Sequence, residues 1–218
     1  MAETVVMSGG RSRLWAEFLG FFLAVPVAIA LFLPPSAMFT ALFAATGVGL
    51  GLLHFTPGFR WGDLARGRVD WRAVAAFGAV TLATAFAVSW VTTGGRPFWF
   101  AANNPALLVM ILCLYPFLSA LPQELVFRPL FFRRYGAILP GGGAGLVLNA
   151  ALFSMAHLMY WSGIVAAMTF FGGLAFAWAY ERRGSFAMAV VLHALAGQIV
   201  FALGLGMFFY SGNVERPF

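Results

Sequence analysis

Long apolar runs constrain this chain more than any other feature of its sequence. A helix of about 20 apolar residues crosses the hydrocarbon of a bilayer, and seven runs reach about that length: 14–33, 37–56, 71–92, 106–132, 143–161, 163–181 and 186–210. Only 9% of the residues are charged, whereas a soluble domain carries about 25%. We therefore predict an all-α polytopic transmembrane bundle of about seven spans, between six and eight, rather than a soluble fold.

The charges of the loops predict an orientation. All thirteen basic residues are arginine. With the N-terminus inside, ten of them fall in cytoplasmic segments and two in outer segments, while Arg128 lies within the fourth run. This imbalance favours an N-in, multi-pass protein, and the absence of lysine is typical of a GC-rich prokaryotic source. We expect the prokaryotic inner membrane.

The same distribution bears on partners and on domain organisation. The net charge of +6 comes from short arginine clusters between apolar runs, a pattern typical of cytoplasmic loops rather than of a nucleic-acid surface. We expect a lipid bilayer as surroundings and no nucleic-acid partner, and the sequence sets no oligomeric state. We interpret residues 1–218 as a single transmembrane domain, in which residues 1–10 form a flexible polar tail.

Few polar side chains lie inside the apolar runs. Glu124 and Arg128 are four residues apart, on one face of a helix, and a charge at that depth costs ~3 kcal/mol on insertion scales. The pair is either a structural ion pair or part of a functional site. His157 and His193 lie in two other runs, whereas His54 lies near a span end and suits an interfacial position. Helical rise puts Glu124, His157 and His193 at overlapping depths. We predict one polar pocket around them that opens toward the cytoplasmic half.

Such a pocket suits hydrolysis. A carboxylate shielded from bulk water can take a proton from a water molecule, and imidazoles can hold that water or stabilise an oxyanion. Zinc also binds histidine and glutamate, but the chain has a single cysteine, Cys113, and no HExxH helix. We therefore expect no metal cofactor, with zinc as the disfavoured alternative.

The polar residues resemble the motifs of a known family. Gln123-Glu124-x-x-x-Arg128, Phe153-x-x-x-His157 and then His193 are similar to EExxxR, FxxxH and HxxxN/D of the CPBP family, the CAAX prenyl protease and bacteriocin-processing proteins, also called Abi. The resemblance covers residues 105–200. It implies helical membrane proteins that cleave peptide bonds near the membrane surface, or act in bacteriocin self-immunity, as glutamate-type proteases rather than metalloproteases.

The resemblance also implies a role for each matched position. The leading glutamate of the family, its water-activating base, corresponds to Gln123, and the second glutamate corresponds to Glu124, which would pair with Arg128. His157 and His193 would bind or polarise the catalytic water and the oxyanion. Phe153 would pack one turn before His157.

Two positions depart from the family pattern. An amide at Gln123 cannot serve as a base at neutral pH, which leaves three explanations: an engineered substitution, a natural pseudoprotease, or Glu124 acting as the base itself. Gly197 stands where the family has Asn or Asp, and Gln198 or Asn149 are candidates to replace it.

Three functional hypotheses follow. The first is an intramembrane endopeptidase that cleaves a membrane-associated protein or peptide by carboxylate-activated water, impaired in this chain by Gln123. The second is a non-catalytic scaffold or a peptide binder of the bacteriocin-immunity type. The third is a small transporter with a proton-coupled Glu124. Prolines at 116, 122 and 129 bend the same helix, which either opens a cleft for substrate or serves packing alone.

Overall fold

The chain forms a bundle of membrane-spanning helices. The computed structural model describes residues 8–218, and within that range it contains helices and turns but no strand. Six helices are long and apolar enough to cross a membrane: α1 (Gly10–Phe32), α2 (Pro35–His54), α3 (Trp71–Thr92), α4 (Pro105–Arg134), α5 (Gly142–Tyr160) and α6 (Gly163–Glu181). A seventh apolar helix, α7 (Phe186–Ala202), is shorter. The predicted polytopic helical bundle is confirmed.

The N-terminal tail is described only in part. Residues 1–7, most of the predicted flexible tail, lie outside the described residues. Residues 8–10 already belong to a regular helix, Ser8–Leu19, which is continuous with α1. Short helices occur at turns, namely Trp61–Ala65, Trp99–Asn103, Leu205–Phe208 and Ser211–Asn213.

Polar caps fix where three of the helices begin. Asp70 accepts hydrogen bonds from the backbone N–H groups of Arg72 and Ala73 at the start of α3. Ser162 and Ser185 accept the corresponding bonds at the starts of α6 and α7. These oxygens satisfy N–H groups that have no partner within the helix.

The helix α4 is irregular where the polar residues lie. It contains two π-helical segments, Pro116–Ala120 and Val126–Arg134, on either side of a short regular turn, Leu121–Leu125. Proline has no backbone N–H and cannot complete the regular hydrogen-bond ladder, and Pro116, Pro122 and Pro129 all fall in this stretch. The wide turns change the direction of each following side chain.

Packing against α7 holds the bundle together. This helix contacts α3, α4 and α6. The helices α5 and α6 approach closely because Gly173 has no side chain, and an added Cβ there would lie 3.2 Å from Cα of Ala150. An aromatic cluster joins α1 to α4, with ring centroids of Phe22 and Phe131 5.6 Å apart.

The helix α7 ends earlier than the sequence predicts. The apolar run continues to residue 210, but the helix ends at Ala202. Gly204 adopts a positive φ of 78°, a left-handed conformation that commonly terminates helices at glycine. The chain then turns into Leu205–Phe208.

Ion pairs connect the arginine-rich ends of the helices. Arg134 on α4 contacts Glu17 on α1 at 2.6 Å. Arg183, between α6 and α7, contacts Asp70 at the start of α3 at 2.5 Å. This end of the bundle is therefore joined by polar contacts between segments that are distant in sequence.

Candidate active site

A buried ion pair lies at the centre of α4. The Nε atom of Arg128 donates to Oε2 of Glu124 at 2.8 Å, and Nη2 donates to Oε1 at 3.3 Å. Both residues have no exposed surface. The two charges meet on one helix face, as their spacing predicts.

His193 extends this pair onto α7. Its Nδ1 atom lies 2.9 Å from Oε1 of Glu124. Since an ionised carboxylate only accepts hydrogen bonds, Nδ1 carries a proton, and Nε2 is an acceptor in the neutral tautomer of the ring. That Nε2 lies 3.2 Å from the hydroxyl of Tyr115. The imidazole also stacks on Phe176, with centroids 4.8 Å apart.

Asn149 and two aromatic rings complete the surroundings of the arginine. The side-chain oxygen of Asn149 accepts from Nη1 of Arg128, and its Nδ2 donates to the backbone oxygen of Phe127 at 2.7 Å. The guanidinium carbon lies 5.3 Å from the centre of the Phe153 ring and 5.8 Å from that of Phe176. The charge is thus held by hydrogen bonds and by ring faces.

His157 approaches the same region from α5. Its Nδ1 lies 2.8 Å from the backbone oxygen of Phe153. A carbonyl can only accept, so Nδ1 donates and Nε2 of the neutral ring remains an acceptor. The Phe153 ring lies 4.8 Å from His157 and 5.5 Å from His193, centroid to centroid. Both imidazoles therefore flank one phenylalanine, within a single region of the bundle.

A cavity of about 690 Å³ borders this region. Tyr115, Ser119, Gln123, His157 and Tyr160 give it polar atoms, whereas most of its wall is made of phenylalanine, leucine, isoleucine, methionine and alanine. The amide of Gln123 donates to the hydroxyl of Ser119 at 3.0 Å.

The predicted site residues fall into two groups. Gln123 and His157 line the cavity. Glu124 and His193 are not among the described residues that line it, and both are buried in the ion-paired network behind it. Adjacent residues on α4 thus have different surroundings.

The cavity lies in the half of the bundle away from the arginine-rich ends. Its wall includes side chains of α1 between Phe21 and Ile29, the first part of α2 up to Thr46, and the ends of α5 and α7 that lie farthest from Arg134 and Arg183. The sequence predicts a pocket that opens toward the arginine-rich half, whereas the cavity lies in the opposite half of the bundle. Helical rise gives the depth of a residue along its helix, but it does not give the place where neighbouring helices separate to form a cavity. At the arginine-rich end, the aromatic cluster and the Glu17–Arg134 pair fill the space between helices.

Neither Gly197 nor Gln198 places a polar side chain beside His193 in the way that the third family motif implies. Gln198 donates to the backbone oxygen of Leu112 at 2.8 Å. Gly197 lies under the ring of Tyr115, where an added Cβ would overlap the ring atoms Cε1 and Cζ.

Sequence reasoning missed Tyr115 and Ser119. Tyr115, Ser119 and Gln123 are spaced by four residues, so they follow one face of α4. The Ser119 side chain also interacts with the Tyr115 hydroxyl. This spacing of polar residues inside an apolar run was the signal that would have found them.

Metal ligation is not supported by the arrangement of side chains. Among residues 8–218 no three histidine, cysteine, aspartate or glutamate side chains are grouped to hold a metal ion. The Glu124 oxygens face Arg128 and His193, and the second nitrogen of His193 faces Tyr115.

The C-terminal half of the chain matches a known family. Residues 104–209 match the family model described as type II CAAX prenyl endopeptidase Rce1-like. The match covers all three motifs and nearly the same residues as the predicted resemblance, which it confirms at the level of the family. No curated protein and no solved structure matches the chain.

Proposed function

Because this chain belongs through residues 104–209 to the CPBP family of CAAX-type membrane proteases, we propose that it is built as an intramembrane endopeptidase. Its reaction is hydrolysis of a peptide bond in a membrane-associated protein or peptide, by water activated at position 123. The observation that carries this proposal is that Gln123 and His157, two family motif positions on different helices, line one cavity.

The surroundings of Glu124 argue against a role as the base. Its oxygens are engaged by Arg128 and His193, and the side chain has no exposed surface. A carboxylate in an ion pair of this kind is a weak proton acceptor because protonation would leave the guanidinium unpaired. Glu124 instead holds His193 and balances the charge of Arg128.

A carboxylate at position 123 would carry out the chemistry from the cavity wall. It would take a proton from water as the oxygen adds to the carbonyl carbon, and the resulting carboxylic acid would return that proton to the departing nitrogen. His157 would accept the second hydrogen of the water through Nε2, since its Nδ1 is held by Phe153. Apart from that carboxylate, the steps use side chains of this chain and one water.

The amide at position 123 supports the interpretation that this chain is an impaired enzyme. Gln123 has the shape of glutamate, but its neutral amide is too weak a base to take a proton from water. Its neighbour Ser119 now accepts a hydrogen bond from the amide, and the same hydroxyl can donate to a carboxylate. The substitution Gln123→Glu therefore fits without rearrangement.

The test is cleavage in proteoliposomes of a quenched-fluorescent library of membrane-anchored peptides, with and without a C-terminal prenylated cysteine. We expect Gln123→Glu to raise the rate by about 10²–10⁴-fold, the usual size of general-base catalysis. The matched control is Asn103→Asp, which also converts an amide to a carboxylate but on an exposed residue. This control should leave the rate unchanged.

Glu124→Gln supplies the opposite test in the same assay. If the starting chain cleaves, Gln123→Glu adds nothing and Glu124→Gln abolishes cleavage, then the base is Glu124 and our assignment is wrong. Cleavage products are identified by mass spectrometry, so that activity from a contaminating protease is recognised by its different cut site.

The second candidate function is peptide binding without turnover. The observation that favours it is the amide at Gln123, on the wall of an otherwise apolar cavity. Saturable binding of a library peptide to both the starting chain and Gln123→Glu, without cleavage by either, would support this function over the protease.

A further inference from the structure

Tyr115 contacts both the buried network and the cavity. Tyr115 lines the cavity, and its hydroxyl lies 3.2 Å from Nε2 of His193. His193 in turn contacts Glu124 at 2.9 Å. A chain of hydrogen bonds therefore runs from the fully buried carboxylate through the imidazole to the hydroxyl of a tyrosine that lines the cavity.

The absence of a side chain at position 197 makes room for this tyrosine. An added Cβ on Gly197 would overlap the Tyr115 ring, so any other residue there would displace the ring. Gly197 is also the position where this chain lacks the polar side chain of the third family motif. The two candidates for replacing that side chain are engaged elsewhere, Gln198 with Leu112 and Asn149 with Arg128.

We propose that Tyr115 is a further catalytic residue of the protease, whose hydroxyl donates a hydrogen bond to the carbonyl oxygen of the scissile bond as that oxygen becomes negatively charged. The proposal rests on the proposed function. His193 acts as a positioning residue, since both of its nitrogens are engaged and it does not line the described cavity wall.

The Tyr115 hydroxyl changes its acceptor between the resting and the reacting state. At rest, it donates to Nε2 of His193, because Nδ1 of that ring carries the proton. An oxyanion is a stronger acceptor than a neutral imidazole, and hydrogen bonds to charged acceptors are about twice as strong as neutral ones. The hydroxyl therefore turns to the oxyanion only when charge develops there, which stabilises the transition state more than the bound substrate.

The experiment uses the full chain carrying Gln123→Glu in proteoliposomes, with the membrane-anchored peptide that this parent cleaves. Adding Tyr115→Phe removes one hydroxyl and keeps the ring. We expect kcat to fall by about 10²–10³-fold, the usual loss of one oxyanion donor, with little change in KM. Tyr135→Phe is the matched control, because Tyr135 is also a tyrosine within the bundle but does not line the cavity, and it should leave kcat unchanged.

A second pair of variants keeps the test valid if Tyr115→Phe weakens the fold. In the same parent, Tyr115→Ala empties the space of the ring, and Gly197→Asn then places an amide donor in it. We expect Gly197→Asn to be inactive alone, since its side chain overlaps the ring. The double variant Tyr115→Ala with Gly197→Asn should have a kcat at least about tenfold above that of Tyr115→Ala, because the amide replaces part of the lost oxyanion stabilisation.

The outcomes separate this inference from the proposed function. A parent that cleaves, together with a Tyr115→Phe variant of equal kcat or an effect confined to KM, overturns the role of Tyr115 and leaves the protease intact. A parent carrying Gln123→Glu that cleaves nothing overturns both. A selective loss of kcat that Gly197→Asn rescues in Tyr115→Ala supports the inference.

Discussion

Glu124 and Gln123 are adjacent, yet one faces a network of charges and the other faces a cavity. Glu124 has no exposed surface and contacts Arg128 and His193. Gln123 contacts the hydroxyl of Ser119 and lines the cavity with His157. Consecutive side chains on a helix point in directions about 100° apart, so one turn of α4 can belong to two environments.

The difference separates two tasks that a site inside a membrane must perform. A charge buried in hydrocarbon requires partners, and a charge that is fully paired is poorly suited to proton transfer. The network behind the cavity holds the paired charges and orients His193, whereas the cavity wall holds side chains with free capacity for hydrogen bonds. Substitutions in the two regions should therefore affect stability to different degrees.

The largest expected effect is on the buried side, from Arg128→Met. It leaves the Glu124 carboxylate without its partner, and removing one member of a buried pair costs about 3–5 kcal/mol. The free energy of unfolding in mixed micelles measures this loss. Arg133→Met is the matched control, because Arg133 lies on the same helix with an exposed side chain, and it should cost less than about 1 kcal/mol.

A double variant sharpens that result. Glu124→Gln combined with Arg128→Met removes both charges and should recover part of the stability lost by Arg128→Met alone, because no unpaired charge remains. If the double variant is as unstable as the sum of the single variants, the two residues are not coupled, contrary to their 2.8 Å contact.

A smaller effect is expected from Asn149→Leu. Asn149 bridges Arg128 and the backbone oxygen of Phe127 with no exposed surface, and losing a partner of a buried polar group costs about 1–3 kcal/mol. Asn103→Leu is the control, because that amide also donates to a backbone oxygen, of Trp99 at 2.7 Å, but is exposed. Equal losses from the two variants would show that burial does not matter at Asn149.

The smallest effect is expected on the cavity side, from Ser119→Ala. Its hydroxyl accepts from Gln123 at the cavity wall, where water can replace the lost bond, so the free energy of unfolding should change by less than about 1 kcal/mol. Ser89→Ala is the comparison, because that hydroxyl is fully buried and donates to Leu203 at 2.5 Å. A Ser119→Ala variant that loses more stability than Ser89→Ala would remove the distinction between the two regions.

Much of the fold follows from the sequence because the bilayer imposes simple rules. Apolar runs must be helical to satisfy their backbone hydrogen bonds, and the predicted runs correspond to α1–α7. The exception is the end of α7, where composition continues to residue 210 but the backbone turns at Gly204. Apolar composition gives no signal for that turn, because Leu205 and neighbouring residues remain buried after the helix ends.

The site follows from the sequence only in part. Four-residue spacing determined that Glu124 and Arg128 meet, because it places them on one face of a helix whatever the surroundings. It did not determine that Glu124 is enclosed while Gln123 is open to a cavity. That choice depends on the π-helical segment Pro116–Ala120, which precedes both residues and changes the direction of the side chains that follow it, and on which helices pack against each face.

The sequence by itself determined the class of protein, the spans and the chemical types of the site residues, because those depend on hydrophobicity and local spacing. Only the tertiary structure decided the position of the cavity and the pairing of Tyr115 with Gly197 and His193. Tyr115 is far in the chain from the other two residues, and their contact arises from the packing of α4 against α7. Local patterns carry no information about such a contact, since each helix would form with or without it.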